Sequence, residues 1–362
     1  VKRKWNKGFW LVILPVCWLI FIDSSPLRSY VMEMETSKTE KAVQLLTWLP
    51  LWRYVEADNT TSAFWNQEEF FRMAEDVQPV REAEKTSKKE QTSLSTTTTT
   101  TTKTKSVLSK SQLKDFSGMI KSYYAMSSTT YITEEDVDFY ELSKMDMTLQ
   151  QTDASKPQIL IYHTHSQEGF SDSTQGDATT SIVAVGNYLT QLLTDMGYNV
   201  IHDTTSYDLV NGKLDRNQAY DYAREQISQI LEDNPTIEVV LDIHRDGVAE
   251  STRLVTTING KETAQILFFN GMSRITGVGD VDSLYNPYRT ENLAMSLQMR
   301  IKALEAYPTL VRANYLNAYK YNLDLRPKAM LIEVGAQTNT LQEALNAMEP
   351  LTELLNGVLT GQ

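Results

Sequence analysis

From Gln158 to the C-terminus, short apolar runs alternate with amphipathic helical stretches, and no other feature of the chain restricts its fold as much. Ile159-Leu160-Ile161-Tyr162, preceded by Pro157, reads as a strand. TTSIVAVGNYLTQLLTDMG follows with apolar residues at helical spacing and closes at Gly197. YNVIHD is then a strand, NQAYDYAREQISQILEDNP a helix stopped before Pro235, and IEVVLDIHRD another strand. A hairpin, TRLVTTINGKETAQILFF, turns at Asn259-Gly260. A helix from about Glu291 to Tyr307, the strand AMLIEVG and a terminal helix complete the chain. Such alternation predicts an α/β fold, a mostly parallel sheet flanked by helices, with the hairpin on an edge of the sheet.

Upstream, SQLKDFSGMIKSYYAMSSTTYITEEDVDFYELSKMDMTL predicts one helix, a turn or short extended piece at Thr129 to Ile132, and a second helix opened by Thr133-Glu134-Glu135-Asp136. This stretch and the alternating half make one predicted domain over 107–362. Residues 81–106 are dominated by Thr, Ser, Lys and Glu, including the threonine run Thr96 to Thr102. They carry too little apolar surface to offset the entropy of ordering, so a flexible tether is expected there. Residues 24–80 are rich in Trp, Tyr, Phe and Glu and read as a membrane-proximal segment of short amphipathic helices.

The chain opens with Lys2, Arg3, Lys4 and Lys7 ahead of an uncharged run from Gly8 to Ile22. Trp5, Trp10 and Trp18 suit the two membrane interfaces, and Lys7 can snorkel. No convincing small-x-small cleavage site follows, so residues 1–23 are expected to be an uncleaved signal anchor, a cleaved signal peptide being the alternative. The positive flank then predicts a single-pass protein of the cell membrane, with everything after Asp23 extracytoplasmic. The one cysteine, Cys17, lies within this run, which excludes an intramolecular disulfide. A net charge of -12 argues against nucleic acid as a partner.

Ligands of open α/β sheets gather beyond the carboxyl ends of the strands. Three predicted strands end there in ionisable residues. The first runs into His163-Thr164-His165 with Glu168 close behind, another into Asp242, Ile243, His244, Arg245 and Asp246, and the last into Glu333. Either histidine alone reads most simply as structural, but both would share a face if the strand continued through them. A carboxylate directly after four apolar residues is costly to bury without a partner. Together they point to a metal site. Imidazole nitrogens with a carboxylate oxygen suit zinc, three protein ligands leave a position for water, and a carboxylate outside the ligand set can take that water's proton. No Gly-x-Ser-x-Gly elbow, Walker loop or dinucleotide glycine fingerprint is present.

The motifs ILIYHTHSQEGF, LDIHRDG and AMLIEVGAQTNT, in this order and strand context, resemble the stage II sporulation protein P family of peptidoglycan hydrolases, related to zinc-dependent N-acetylmuramoyl-L-alanine amidases. The resemblance runs from about Ser111 to the C-terminus and implies an amidase-like fold with Zn2+ as cofactor. By resemblance His165 and His244 are zinc ligands and Glu333 is the catalytic glutamate. Glu168 occupies the acidic position after His-Thr-His and is assigned as the third ligand. Asp177 is the alternative, because the wider amidase superfamily places a ligand glutamate at the start of the next helix. Gln167 and Tyr207 depart from the family pattern without removing a ligand. Arg245 is assigned to catalysis as the holder of a substrate carboxylate or of the oxyanion, pairing with Asp246 being the alternative; His163 stays outside the ligand set.

The implied reaction is cleavage of the amide between N-acetylmuramic acid and L-alanine, with action on stem-peptide cross-links as a further activity. Peptidoglycan is then the substrate, and a glycan-strand hydrolase of the sporulation machinery the expected activating partner. Two competing readings remain: a wall-binding scaffold that keeps the fold without the chemistry, and a metallohydrolase of this fold outside sporulation.

Overall fold

The computed structural model describes residues 107–216 and 218–362. The expected anchor over 1–23, the segment 24–80 and the tether 81–106 lie outside the described residues. Among the described residues no helix is long and apolar enough to cross a membrane.

The alternation read from the sequence produces a seven-stranded sheet. Its strands are β1 (Tyr124–Met126), β2 (Ile159–Tyr162), β3 (Val200–His202), β4 (Val239–Asp246), β5 (Ile266–Gly271), β6 (Val311–Asn317) and β7 (Lys328–Ala336). They lie in the order β1-β6-β5-β7-β4-β2-β3. All neighbours run parallel except β5 and β7, which are antiparallel. The sheet is therefore mostly parallel, and the carboxyl ends of β2, β4 and β7 share one edge.

Strand parity divides the side chains between two faces. Ile159, Ile161, Val239, Leu241, Ile243, Met330 and Ile332 face a large core completed by α1 (Phe116–Tyr123), α2 (Ile182–Asp195), α4 (Arg289–Ala306) and α5 (Leu341–Leu359). Leu160, Tyr162, Val240, Ala329 and Leu331 face a smaller core. Its one long helix is α3 (Ala219–Asp233), which contributes Ala219, Ala223, Ile227 and Leu231, a single stripe at every fourth residue. Asp242, His244 and Glu333 have the parity of this second face.

Several expectations are corrected. The hairpin forms at Asn259-Gly260, where φ values of 51° and 80° give the left-handed pair that a tight two-residue turn needs. Its arms, Val255–Ile258 and Lys261–Ala264, make a separate two-stranded ribbon, not an edge of the main sheet. Asn346 of α5 holds the ribbon by donating to the Glu262 carbonyl at 2.7 Å. The apolar run ILFF, read as part of that hairpin, is instead β5 in the sheet interior, covered by β6 on one side and β7 on the other.

Thr133 does not open a long helix. Asp136 accepts from its backbone N–H and hydroxyl at 2.7 and 2.8 Å, which closes a turn, and the helix that follows is the single turn Phe139–Leu142. Strand β6 was not expected, because VRANYLN interrupts its apolar residues with Arg312 and Asn314.

Candidate metal centre

Asp242 organises the edge where β2 and β4 end. It is paired with Tyr162 across the two strands, and it accepts from Thr164 N at 2.9 Å and Thr164 Oγ1 at 2.6 Å. The chain leaving β2 is thereby tied back onto β4. Because the strand ends at Tyr162, the alternation that would have put His163 and His165 on one face stops there.

The two histidines part company. His163 is fully buried and donates through Nδ1 to the Ile243 carbonyl at 2.8 Å. Its Nε2 accordingly accepts from His202 Nε2, 2.9 Å away. Gly186 of α2 leaves room for that pair: a Cβ there would lie 2.5 Å from His163 Nε2 and 2.7 Å from His202 Nε2. His163 is a packing residue with no access to a ligand.

His165 turns the other way and meets His244 of β4, with ring centroids 4.9 Å apart and planes at 84°. Glu168, held by the turn in which its N–H donates to the His165 carbonyl at 3.2 Å, lies between them. His165 Nδ1 is 3.6 Å from Glu168 Oε1, and His244 Nδ1 is 3.6 Å from Glu168 Oε2. One donor atom from each of these residues lies within 4.8 Å of the others, and all three residues are buried. Asp177, the alternative third ligand, is not in this group. Its Oδ1 accepts from Thr179 N and Oγ1 at 2.9 and 2.6 Å within its own turn.

The remote nitrogens are also fixed. His165 Nε2 sits 3.3 Å from the Arg216 carbonyl, so it carries the proton and Nδ1 the lone pair. His244 Nε2 lies 2.8 Å from Asp242 Oδ1, close enough for a strong charge interaction though off the line of a good hydrogen bond. Tyr220, one residue into α3, packs edge-on to His165 at 5.4 Å and parallel to His244 at 6.4 Å.

Glu168 also accepts from Arg245 N at 2.8 Å and from Arg216 Nη2. Burial would raise the Glu168 pKa, but the charges of Arg216, His244 and Arg245 outweigh it and hold the carboxyl well below its usual range. Burial lowers His165. For His244 burial acts in the same direction, yet Asp242, followed by Glu168 and Glu333, lifts it to about 9.

Glu333 is the in-register neighbour of His244. Just beyond it β7 takes three steps, Glu333 to Ala336, where β4 takes two, His244 to Asp246. Such a bulge re-aims the strand end. Glu333 Oε2 is buried with no hydrogen-bond partner. Burial, only partly opposed by His244 and reinforced by Asp246 and Glu168, pushes its pKa to about 8.

Arg245 does not pair with the Asp246 carboxylate, which Arg312 and Gly247 N take. Its guanidinium donates to the carbonyls of Gly169 at 2.9 Å and Asp246 at 3.2 Å. It lines a cleft of about 300 Å³ with Gln167, Gly169, Thr174, Asp177 and Gln337. Sequence reasoning missed Arg216 and Tyr220. Both lie where a polar loop enters α3, with no local pattern to mark them.

A curated relative, stage II sporulation protein P of Bacillus subtilis (strain 168), is 24% identical over 222 residues. The match covers 57% of this chain and 52% of the relative, so the chain spans about half the length of the curated relative it matches. Among solved structures, the CwlD amidase of Clostridioides difficile in complex with the GerS lipoprotein is similar with a TM-score of 0.38 and 13% identity, over 57% of this chain and 100% of that one. The catalytic domain of CwlV, an N-acetylmuramoyl-L-alanine amidase of Bacillus (Paenibacillus) polymyxa, gives 0.34 and 13% over 56% and 98%. Likeness at that level bears on neither the fold nor the chemistry of this chain. The sequence pattern of the stage II sporulation protein P (SpoIIP) family, however, matches residues 41–356, most of the chain, and the protein belongs to that family.

Proposed function

We propose that the chain is a membrane-anchored, zinc-dependent peptidoglycan hydrolase that cleaves the amide between N-acetylmuramic acid and L-alanine, in septal wall remodelling during sporulation. Family membership supports the substrate class and the setting. The observation that carries the chemistry is the meeting of His165 Nδ1, His244 Nδ1 and the Glu168 carboxylate beside the unpaired Glu333 Oε2.

The donor set fits zinc. Two imidazole nitrogens and one carboxylate oxygen leave a fourth tetrahedral position for a reactant. The Arg216 carbonyl at His165 Nε2 keeps that ring's lone pair at Nδ1, and His244, with Asp242 at its other nitrogen, presents Nδ1 to the site once it gives up a proton. Zinc bound there would supply Lewis-acid polarisation of the scissile carbonyl and of the attacking water. His165, His244 and Glu168 would hold it. Glu333 is the base. An Oε2 without a competing hydrogen bond and a raised affinity for protons suit it to take a proton from water and return it to the leaving amine nitrogen. Arg245, in the cleft wall, can hold a carboxylate of the stem peptide. Cross-linking amides between stem peptides would undergo the same reaction.

Residues 1–23 support a single membrane pass with the catalytic region outside the cytoplasm, where a glycan-strand hydrolase is the expected activating partner. Protection of 107–362 from added protease on intact cells would overturn that placement.

The chemistry is tested by digesting purified peptidoglycan and identifying products by mass spectrometry. Free stem peptides should appear with the wild-type chain and vanish with Glu333→Gln and with chelator. Binding to the wall without product release, in a chain that retains no zinc, would replace this reading with that of a wall-binding module.

A further inference from the structure

A cation of the chain itself already stands among the candidate metal donors. Arg216 lies just ahead of α3 and sends Nη2 onto Glu168 Oε1, with His165 Nδ1 only 3.1 Å from the same nitrogen. A guanidinium has donors and no acceptor, so Nη2 donates to the carboxylate oxygen and into the imidazole lone pair together. Those are two of the atoms that the proposed zinc would need at about 2.0–2.2 Å. One nitrogen within hydrogen-bond reach of both cannot share them with an ion.

We propose that Arg216 is a positioning residue that competes with the metal: its side chain holds Glu168 and His165 in place and must leave them before a divalent cation can bind. This inference rests on reading the group as a metal centre. Two further observations favour a side chain that can leave. Arg216 is 39% exposed along its side chain, although its guanidinium end is crowded on the site side, so it can swing out without unpacking the core. Asp208 is near enough to act on its charge and offers a second carboxylate, one already fixed by Ser166 Oγ at 2.9 Å and Gln167 N at 3.2 Å. The proton on His165 Nε2 depends on the main-chain carbonyl of Arg216, not on its side chain. Truncation therefore removes the competitor, while the main-chain carbonyl still holds His165 Nε2 and Arg245 N still holds Glu168 Oε2.

The test is equilibrium competition for Zn2+ between the 362-residue chain and a chromophoric chelator, for the wild type, Arg216→Ala and Arg216→Lys. Loss of a charge-assisted hydrogen bond to the carboxylate should tighten zinc binding by about ten- to a hundredfold in Arg216→Ala. Arg216→Lys, which keeps the charge without the fork, should fall in between. In chelator, Arg216→Ala should unfold at a lower temperature than the wild type, and added zinc should raise its midpoint by more. An orienting role in the loaded site would do the opposite and weaken zinc binding. Unchanged or weaker binding in the variants, beside a wild type that binds zinc, would overturn the competition and leave the metal centre standing. Arg216→Lys alone decides the sign if Arg216→Ala does not fold. Absence of zinc binding in every protein would overturn the metal centre and the competition together.

Discussion

Replacing the catalytic candidate should make the metal-free protein more stable, not less. Glu333 is buried, its Oε2 has no partner, and its pKa stands at about 8 against an ordinary 4.5. A folded-state pKa raised above the unfolded value means that the native state binds the proton more tightly. The associated stability is fully present below pH 4.5 and is lost as pH rises to about 8. That interval, at about 1.36 kcal/mol per unit, sets a ceiling of about 5 kcal/mol.

Glutamine has the shape of the protonated acid and does not titrate. Glu333→Gln should therefore match the wild type near pH 4.5 and exceed it progressively up to pH 8, with no further divergence above. The expected gain at pH 8 is about 2–4 kcal/mol, below the ceiling, because the Glu333 charge helps to hold the proton on His244 and that attraction is lost. Urea unfolding in chelator at pH 5, 6.5 and 8 measures the gap, while the same variant is assayed for loss of product release. A gap that does not grow with pH, or a variant less stable throughout, would refute the claim that burial, not partnership, sets the affinity of Glu333 for its proton.

Three other substitutions probe different parts of the site. Asp242→Asn removes the carboxylate beside His244 and weakens the tie to Thr164, and should lower zinc affinity by about 10–100-fold in chelator competition; unchanged affinity would deny Asp242 an orienting role. Gly186→Ala drives a methyl into the His163–His202 pair and should cost roughly 1–3 kcal/mol in urea unfolding. A neutral result there would mean that the two imidazoles separate freely. Arg245→Ala should raise KM for peptidoglycan fragments with kcat nearly unchanged if the guanidinium holds a substrate carboxylate, whereas a fall in kcat alone would assign it to the transition state.

How legible each part was depends on whether its signal was local. Glu333 stands out because an apolar run leads directly into it, and His244 because it lies near the end of a strand that already carries Asp242; their strands do lie side by side in register. The condition under which His163 and His165 would share a face is not met, for a reason equally simple. Alternation holds only while a strand continues, and the tie from Thr164 to Asp242 ends β2 before either residue. The hairpin turn was legible from Asn259-Gly260, but the destination of the following ILFF run was not, since β5 pairs with strands far along the chain. Strand β6 was hidden by Arg312, whose charge is met by Asp246 across the fold. Arg216 belongs to the same class: it approaches Glu168 from 48 residues away. The identity of the ligand set came from family resemblance, not from spacing.

The proposed exchange of an arginine for a divalent ion is balanced in charge. Glu168 and Asp242 are both held ionised, while burial keeps the proton on Glu333 up to about pH 8. Against those two negative charges stand Arg216 and a protonated His244. A divalent cation that displaces Arg216 and requires neutral His244 replaces two positive charges with two, and for Glu333 to act as base the bound cation must also favour its ionised form. The exchange has a measurable signature. Because His244 is protonated below about pH 9, zinc binding at pH 7 should release about one proton from it. Calorimetry in buffers of different ionisation enthalpy reads that number directly, and release should fade as pH passes 9. Zinc bound at pH 7 with no proton release would show that His244 enters the site already neutral, and the balance between arginine and metal would then have to be struck by Glu333 instead.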